Sequence, residues 1–360
     1  MARAKYAQIL FLVACVIGVQ LAASAADKTH YLTQLTMAGY YSMVIIGLSL
    51  LMGYTGQISL GHAGFFAIGG YTSALLTTYN LLPHKDASIV AVLAKSGVLM
   101  AGQDVYGGDI LVVQPWAACI AAILVTLVVA YIIGRPVLKL KGHYLAMATL
   151  GFGTIVYKVV LGTSLVGAAD GLSDIPAFQL LPGLSLSGKS SVRIQNYYIA
   201  WGLVIVGTTL LLNLIHSRVG RALRAIHGAE DAANAMGVDT SAFKLRIFVV
   251  SAVYAALGGA FLTHFNGGIG PSEASIMKSV HYVAIVAIGG MANLWGALTM
   301  GVALNFLSLR GYFGSHDDSV FGLILVAVML FAPEGIGSTG ASTKIRAWIK
   351  HLRTHQEPSS

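Results

Sequence analysis

Long apolar segments recur along almost the whole chain, and most of them are long enough to cross a lipid bilayer as a helix. A membrane-spanning helix needs roughly 20 mostly apolar residues and satisfies its own backbone hydrogen bonds where water is absent. Of the 360 residues, 56% are hydrophobic and only 10% are charged. The chain is therefore predicted to be an all-α, polytopic integral membrane protein with about 8–10 transmembrane helices, some of them broken or re-entrant. The predicted spans lie at about 7–26, 34–52, 60–79, 115–134, 143–163, 197–215, 245–265, 280–293, 294–309 and 319–333.

Two of the apolar stretches do not fit a single straight span. Glycines and Asn293 interrupt residues 280–309, so two short or broken helices fit as well as one long helix. Residues 88–102 are apolar but short and contain Lys95, which favours an interfacial or re-entrant piece. Glycine is abundant, with 42 residues, and small residues of this kind let helices pack closely in lipid.

The basic residues indicate an orientation, because Lys and Arg concentrate on the cytoplasmic side of a membrane protein. With both termini placed inside, 14 of the 22 basic residues lie in cytoplasmic segments, while the acidic residues lean outward. This orientation explains the net charge of +8 without a nucleic-acid partner. It places a segment at 217–244 in the cytoplasm and two loops, 80–114 and 164–196, outside.

The chain is predicted to form one transmembrane domain over residues 1–335, followed by a basic cytoplasmic tail at 336–360. Its first 26 residues also have the outline of a signal peptide, with Arg3 and Lys5 before an apolar run and Ala23-Ser24-Ala25 after it. We expect this first helix to be retained, and the other helices do not depend on it.

The polar segment 217–244 interrupts the apolar second half of the chain and is predicted to contain a short docking helix. Glu230 and Asp231 stand in its first turn, where carboxylates favour the positive end of the helix dipole, and Gly237 ends it. Four small or apolar residues recur at helical spacing and form a face that suits a groove on another protein: Ala229, Ala232, Ala233 and Met236.

Two further features belong to this segment. Asp239, Thr240 or Ser241 can cap the helix that follows, which is apolar over 245–265. The alternative to docking is an amphipathic helix held against anionic lipid, for which the basic residues are Arg218, Arg221 and Arg224.

The run at 53–71 brings polar and small residues into a membrane segment. Backbone that leaves the helical form at bilayer depth must be buried in protein or line a wet cavity, so this run is a candidate lining of a translocation path. A tight turn before an ordinary packed helix fits the run equally well, and interhelical hydrogen bonding is the alternative role for its polar side chains. The path candidates, including two from later segments, are Thr55, Gln57, Ser59, His62, Tyr71, Asn266 and Asn293.

Two stretches resemble the permease subunit of branched-chain amino acid ABC importers, of the M type: GYTGQISLGHAGFFAIGGYTSALL at 53–76 and GRALRAIHGAEDAANAMGVDTSAFKLRIFVVSA at 220–252. A less specific likeness is GGMANLWGALTMGVALNFL at 289–307. Bacterial import permeases of this kind carry a cytoplasmic E-A-A-x-x-x-G segment, then nine residues and an Ile. Residues 231–237 fit this spacing with Ile247 in register, although Asp231 replaces the Glu and two valines replace a common Leu-Pro.

The resemblance implies a multi-pass permease of the bacterial inner membrane that works with separate cytoplasmic ABC ATPase subunits. It also implies a second related permease, an extracytoplasmic substrate-binding protein, and ATP bound only by the partner subunits, with no cofactor in this chain. Leucine, isoleucine and valine are the expected substrates, while urea, short amides and aromatic acids remain alternatives. The residues implied in ATPase coupling are Glu230, Asp231, Ala232, Ala233, Met236 and Gly237.

Other functional classes have weaker support. Residues 183–190 match the phosphate-binding pattern G-x-x-x-x-G-K-[ST], but neither the preceding buried strand nor the following helix that such a site needs is expected there. The G-x-G-x-x-G match at 335–340 leaves too little chain for a βαβ unit. Cys15 and Cys119 fall in predicted spans and the histidines lack ligand spacing, so neither a metal site nor enzyme activity is predicted. An ion-coupled secondary transporter is a weaker alternative, because no acidic residue falls in mid-membrane.

Overall fold

The computed structural model describes residues 2–84, 88–103, 108–181, 183–312 and 314–331. Within these residues most of the chain is helical, which confirms the predicted class of an all-α, polytopic membrane protein. The described part contains thirteen α-helices: α1 (Ala2–Ala25), α2 (Tyr31–Thr55), α3 (His62–Thr78), α4 (Ser88–Lys95), α5 (Pro115–Val137), α6 (His143–Gly162), α7 (Arg193–His216), α8 (Arg218–Gly228), α9 (Glu230–Ala235), α10 (Thr240–Asn266), α11 (Ile276–Gly289), α12 (Leu294–Leu309) and α13 (Asp317–Phe331).

Six of the described helices, α1, α2, α5, α6, α7 and α10, are long and apolar enough to cross a membrane. The predicted span at 60–79 corresponds to α3, which has 17 residues. The interrupted stretch at 280–309 forms two short helices, α11 and α12, separated by residues 290–293. Gly290 has φ +98°, a conformation that side chains oppose, and this explains why the helix stops there. The predicted tail at 336–360 and the pattern at 335–340 lie outside the described residues.

Helices α2, α3 and α10 form the centre of the bundle, and their backbones approach closely at glycines. A Cβ atom added at Gly69 in α3 would lie 2.3 Å from the carbonyl oxygen of Ala256 in α10. One added at Gly259 in α10 would lie 2.0 Å from the carbonyl oxygen of Phe66. Such contacts, possible only without a side chain, are how helices associate in lipid, and they confirm the packing role expected of glycine.

The connections between the helices gather at two ends of the bundle. We call one the basic end, formed by residues 138–142, 217–239 and 290–293. We call the other the loop end, formed by residues 79–114, 163–192, 267–275 and 310–316. At the basic end Tyr54 Oη donates to the carbonyl oxygen of Ala292 over 3.2 Å, and at the loop end Leu172 and Ile269 form a β-bridge.

The two long connections at the loop end contain β-hairpins, which the all-α expectation did not include. β1 (Leu99–Gln103) pairs antiparallel with β2 (Asp109–Val113), and β3 (Phe178–Leu181) pairs antiparallel with β4 (Leu184–Leu186). Residues 88–102, expected as an interfacial or re-entrant piece, form α4 and most of β1, and their position relative to the membrane stays a prediction. Short strands of this kind are stabilised by their partner and by packing on neighbouring helices, which the periodicity of one segment does not reveal.

The hairpin also shows the surroundings of the pattern at 183–190. A strand, β3, precedes it, but only Phe178 of this strand is buried, so it is not the buried strand that a phosphate-binding loop needs. The pattern itself forms the hairpin turn at Gly183 and then β4, and a 3₁₀ turn (Ser190–Val192) follows before α7 begins. A phosphate-binding loop runs from a strand directly into a helix N-terminus, and here a returning strand lies between them.

Candidate functional site

The polar segment at 217–244 folds into α8, α9 and the start of α10, all at the basic end. Ser217 Oγ accepts a hydrogen bond from the backbone N–H of Val219 over 3.1 Å and caps α8. The apolar side chains of α8, Leu223 and Ile226, are buried against the chain's own helices. The short helix predicted in this segment is α9, which has six residues and packs on α8, and its docking role stays a prediction.

Local signals end α9 and begin α10 where the sequence predicted. Gly237 has φ +82° and donates its N–H to the carbonyl oxygen of Asn234 over 2.9 Å, which is a left-handed helix end that glycine favours. Asp239 Oδ1 accepts a hydrogen bond from Ala242 N over 3.0 Å and caps α10.

The two carboxylates in the first turn of α9 face different surroundings. Glu230 Oε2 lies 2.5 Å from Lys244 Nζ in the first turns of α10, and these side chains are only 28% and 11% exposed. Thr240 Oγ1 also donates to Glu230 Oε1, over 3.4 Å. The Asp231 side chain is 92% exposed, and its Oδ1 lies 3.7 Å from Nζ of Lys141, whose side chain is 71% exposed. Glu230 thus joins α9 to α10, and Asp231 is the carboxylate that another protein can reach.

The predicted apolar face of α9 is divided in the structure. Ala233 is only 5% exposed and anchors α9 to its own chain, whereas Met236 is 84% exposed. Ala229 and Ala232 are also exposed. The expectation of one continuous face is corrected because a helix of six residues needs part of that face for its own attachment.

The run at 53–71 contains a break in the helical structure inside the bundle. α2 ends at Thr55, the next six residues are not helical, and α3 begins at His62. His62 Nε2 lies 2.7 Å from Oγ of Ser251, which is roughly 16 Å along α10 from its first residue at 1.5 Å per residue. The non-helical stretch therefore rises from the basic end into the bundle, and α3 starts at depth. This geometry favours backbone that leaves the helical form inside the bundle over a tight turn at the surface.

Side chains within the run bond to it and to neighbouring helices. Thr55 Oγ1 donates to Gln57 Oε1 over 3.1 Å, and Ser59 Oγ lies 3.1 Å from His62 Nδ1. The backbone N–H of Leu60 donates to Thr149 Oγ1 over 3.0 Å. These contacts satisfy backbone and side-chain groups that are removed from water, as a non-helical stretch at this depth requires.

The remaining path candidates lie elsewhere. Tyr71 is buried on α3, two turns and more beyond His62. Asn266 is exposed at the loop end of α10. Asn293 is at the basic end, where its Oδ1 accepts from Gly296 N over 3.1 Å and caps α12. The structure therefore brings together Thr55, Gln57, Ser59 and His62 but not the full set, and a role in transport stays a prediction for each.

Sequence reasoning missed a polar cavity of about 300 Å³ among α2, α11, α12 and α13, toward the loop end. Lys278 Nζ donates to Tyr41 Oη over 3.2 Å and lies 3.3 Å from Glu273 Oε1. Tyr41 Oη in turn donates to Glu273 Oε1 over 3.0 Å. Asp317 and Asp318 of α13 also line the cavity.

The predicted start of α11 explains why this cavity was missed. The span was expected from residue 280, but the helix starts at Ile276, and the preceding turn packs Glu273 against Tyr41, ten residues inside α2. Glu273 lies in the turn between α10 and α11 and belongs to no long span, yet its carboxylate contacts Tyr41 of α2. The expectation that no acidic residue lies in mid-membrane stays a prediction. A Glu and a Lys five residues apart at the edge of an apolar helix were the available signal.

Apolar membrane-crossing helices, a broken segment inside the bundle and a polar cavity together define a multi-pass membrane transport protein. The chain belongs to the family described as the permease component of branched-chain amino acid transport systems, whose family model matches residues 30–333. It is thus a transport permease.

Individual relatives match along most of their length. The chain is 29% identical over 322 residues to the high-affinity branched-chain amino acid transport system permease protein LivM of Salmonella typhimurium, covering 84% of this chain and 68% of that protein. It is 28% identical over 351 residues to LivM of Escherichia coli, and the match covers 91% of this chain and 75% of that protein. It is 28% identical over 324 residues to BraD of Pseudomonas aeruginosa, and the match covers 85% of this chain and 95% of that protein. No solved structure matches the chain.

Proposed function

We propose that this chain is the permease subunit of a bacterial ABC importer that moves branched-chain amino acids across the inner membrane, with ATP hydrolysed by separate subunits. The observation that carries this proposal is the exposed surface of α9. Asp231, Ala232 and Met236 are accessible to a partner there, on a helix that is firmly attached to the rest of the chain. The names of the relatives support the substrate class, since they describe branched-chain amino acid transport.

The attachment of α9 suits the transmission of movement. The pair between Glu230 and Lys244 and the turn at Gly237 join α9 directly to α10, which continues for 27 residues through the centre of the bundle. α10 packs on α3 without intervening side chains at Gly259. An ATPase that displaces α9 therefore moves α10 and α3 together, as alternating access requires. In this scheme the chain needs no nucleotide site, cofactor or catalytic group of its own.

The packing of α8 favours docking over attachment to lipid. An interfacial helix lays its apolar face into the bilayer and keeps its basic residues near the headgroups. In α8 the apolar residues Leu223 and Ile226 are buried within the protein, while Arg221 and Arg224 remain on the exposed side. No apolar face of α8 is left for lipid.

Orientation and partners follow from the two ends of the bundle. We place the basic end and both termini in the cytoplasm, where Lys and Arg concentrate. The loop end, with its two hairpins, then faces the compartment from which a substrate-binding protein delivers its ligand. A second related permease would complete the path.

The test of the proposal is retention of the ATPase by the detergent-purified permease. We expect Asp231→Arg and Ala232→Trp to abolish co-purification, because they reverse a charge and add bulk at the exposed end of α9. The matched control is Asp170→Arg, which changes an exposed carboxylate at the loop end and should leave ATPase retention unchanged. Retention by the two α9 variants equal to that of the unmodified chain would exclude docking at this helix.

Uptake by the reconstituted complex tests the substrate and the energy source. We expect leucine uptake into proteoliposomes to require ATP, the ATPase subunits and the binding protein, with isoleucine and valine competing. Uptake driven by an ion gradient through this chain alone would instead identify a secondary transporter. Uptake of urea, short amides or aromatic acids in place of leucine would keep the transport class and overturn the substrate.

A further inference from the structure

We infer that the cavity among α2, α11, α12 and α13 binds the zwitterionic head group of a free α-amino acid as it enters from the loop end. The inference rests on the proposed import function and deepens it, because it names the part of the substrate that the permease itself recognises. The relevant observation is that two residues lining this one cavity carry buried polar atoms of opposite chemistry, the Tyr282 hydroxyl and Asp317 Oδ1, for which the described residues supply no partner.

Helix α11 contributes hydrogen-bond donors for an anion to the cavity lining. Lys278 directs its ammonium toward Glu273 and Tyr41, and its side chain remains 31% exposed at the cavity. An ammonium has three donors, so one is left for a ligand. Tyr282 lines the same cavity, is only 2% exposed, and its hydroxyl has no hydrogen-bond partner among the described residues. A buried hydroxyl of this kind normally has a partner, and a carboxylate would supply one.

Helix α13 contributes acceptors for a cation to the same lining. Asp317 Oδ2 accepts from Ser308 Oγ over 2.6 Å, but Asp317 Oδ1 is buried with no partner in the part of the chain that the structure describes. Asp318 Oδ1 lies 3.1 Å from His281 Nε2. A buried carboxylate oxygen without a donor is costly, and a ligand ammonium would satisfy it.

The rest of the lining suits a small aliphatic side chain. Met277, Leu309 and Phe321 contribute apolar surface to the lining. Phe321 is held in place by stacking on the His281 ring at 4.4 Å between ring centroids. A cavity of about 300 Å³ is at the lower limit for ligand pockets, which favours a single small molecule.

The location fits a site used on the way into the bundle. Tyr41 lies ten residues from the loop-end start of α2, roughly 15 Å along the helix. The lining therefore extends from Ser272 and Ser275, at the loop end, inward to Tyr41. Docking at α9 uses none of these residues, so the two sites can be tested separately.

The experiment is cysteine protection in the assembled complex. Cys15→Ser and Cys119→Ala remove the native thiols, and Met277→Cys places a thiol in the lining, where a small maleimide can react with it. We expect leucine to slow this labelling at least fivefold at saturation. Isopentylamine, which lacks the carboxylate, and 4-methylpentanoate, which lacks the ammonium, should give no protection at the same concentration.

Two conservative variants test the hydrogen-bond donor and the acceptor of the cavity separately. Tyr282→Phe keeps the ring and removes the hydroxyl, and Asp317→Asn keeps the shape and removes the charge. Each should raise the leucine concentration needed for half protection about tenfold, in line with the loss of a hydrogen bond to a charged group. Tyr312→Phe, which removes an exposed hydroxyl at the loop end, should leave this concentration unchanged.

The outcomes separate this inference from the function that it assumes. If the complex imports leucine with ATP but leucine does not protect the thiol, or if both analogues protect equally well, the cavity site is wrong and the import function stands. If the complex does not import leucine, the proposed function itself is wrong. If exchanging the charges, with Glu273→Lys and Lys278→Glu together, leaves both protection and uptake intact, the Lys278 pair serves only packing and the head-group site is overturned.

Discussion

Lys244 Nζ lies 2.5 Å from Glu230 Oε2, and this pair joins α9 to the first turns of α10 across the glycine that ends α9. Only 11% of the Lys244 side chain is exposed. Loss of one partner from a largely buried pair leaves a charge that neither water nor protein satisfies, which costs more than breaking a surface pair.

We therefore predict that Glu230→Ala loosens α9 without unfolding the bundle. The cost should be about 2 kcal/mol, since the pair is partly exposed, and this corresponds to roughly a 30-fold rise in the local opening equilibrium. Amide hydrogen exchange over residues 229–238 measures this change. Asp231→Asn, in the same turn but on a solvated side chain, is the control and should exchange like the unmodified chain. Equal exchange in both variants would mean that the Glu230 pair does not hold α9.

Gly237, which ends α9, provides a second prediction for the same helix. Its φ of +82° opposes any side chain, so Gly237→Ala should destabilise the end of α9 by about 1 kcal/mol and raise local hydrogen exchange roughly fivefold. Gly228→Ala is the matched control. Gly228 ends α8, its φ is not in the left-handed region, and an added Cβ would meet nothing within 4 Å. The prediction fails if both substitutions change exchange over 229–238 by the same factor.

Features encoded by neighbouring residues could be predicted from the sequence. Apolar runs placed the helices to within a few residues over most of the described chain, and glycine and aspartate marked the end of α9 and the start of α10. The partner of Glu230 could not be predicted in this way. Lys244 follows it by fourteen residues, and only the turn at Gly237 brings the two together.

Features that depend on several distant segments could not be predicted. The polar cavity combines side chains from four helices and the turn before α11, and each of these looks ordinary in its own segment. The depth at which α3 begins is set by contacts of His62 with Ser251 and of Leu60 with Thr149, which lie 189 and 89 residues away in the sequence. The hairpins were missed because two short strands are recognisable only as a pair.

The contact between His62 and Ser251 gives a third prediction. His62 is fully buried, with Nε2 at 2.7 Å from Ser251 Oγ and Nδ1 at 3.1 Å from Ser59 Oγ. We expect His62→Ala to lower the free energy of unfolding of the detergent-solubilised protein by about 2 kcal/mol, because hydrogen bonds and packing contacts are lost. Ser251→Ala should cost less, because His62 keeps its contact with Ser59. The double variant should lose about 1 kcal/mol less unfolding free energy than the two single variants lose together, as expected for a pair in direct contact. Strict additivity would show that the contact carries no coupling.

The last prediction concerns the close approach of α3 and α10. A Cβ at Gly69 would lie 2.3 Å from the carbonyl oxygen and 2.4 Å from the Cα of Ala256, so an alanine there meets backbone that cannot move aside as a side chain could. Gly69→Ala should therefore force the two central helices apart, at a cost of about 3 kcal/mol or more. We expect a marked fall in the yield of monodisperse protein and in its melting temperature in detergent.

Gly151→Ala separates this packing effect from the general effect of adding a methyl group to a membrane helix. Gly151 lies within α6, and an added Cβ there would meet nothing within 4 Å. Since alanine is the better helix former, this control should hold or slightly raise the melting temperature. A Gly69→Ala variant as stable as the Gly151→Ala control would mean that α3 and α10 are farther apart than the structure has them, and movement of α10 would then not carry α3 with it.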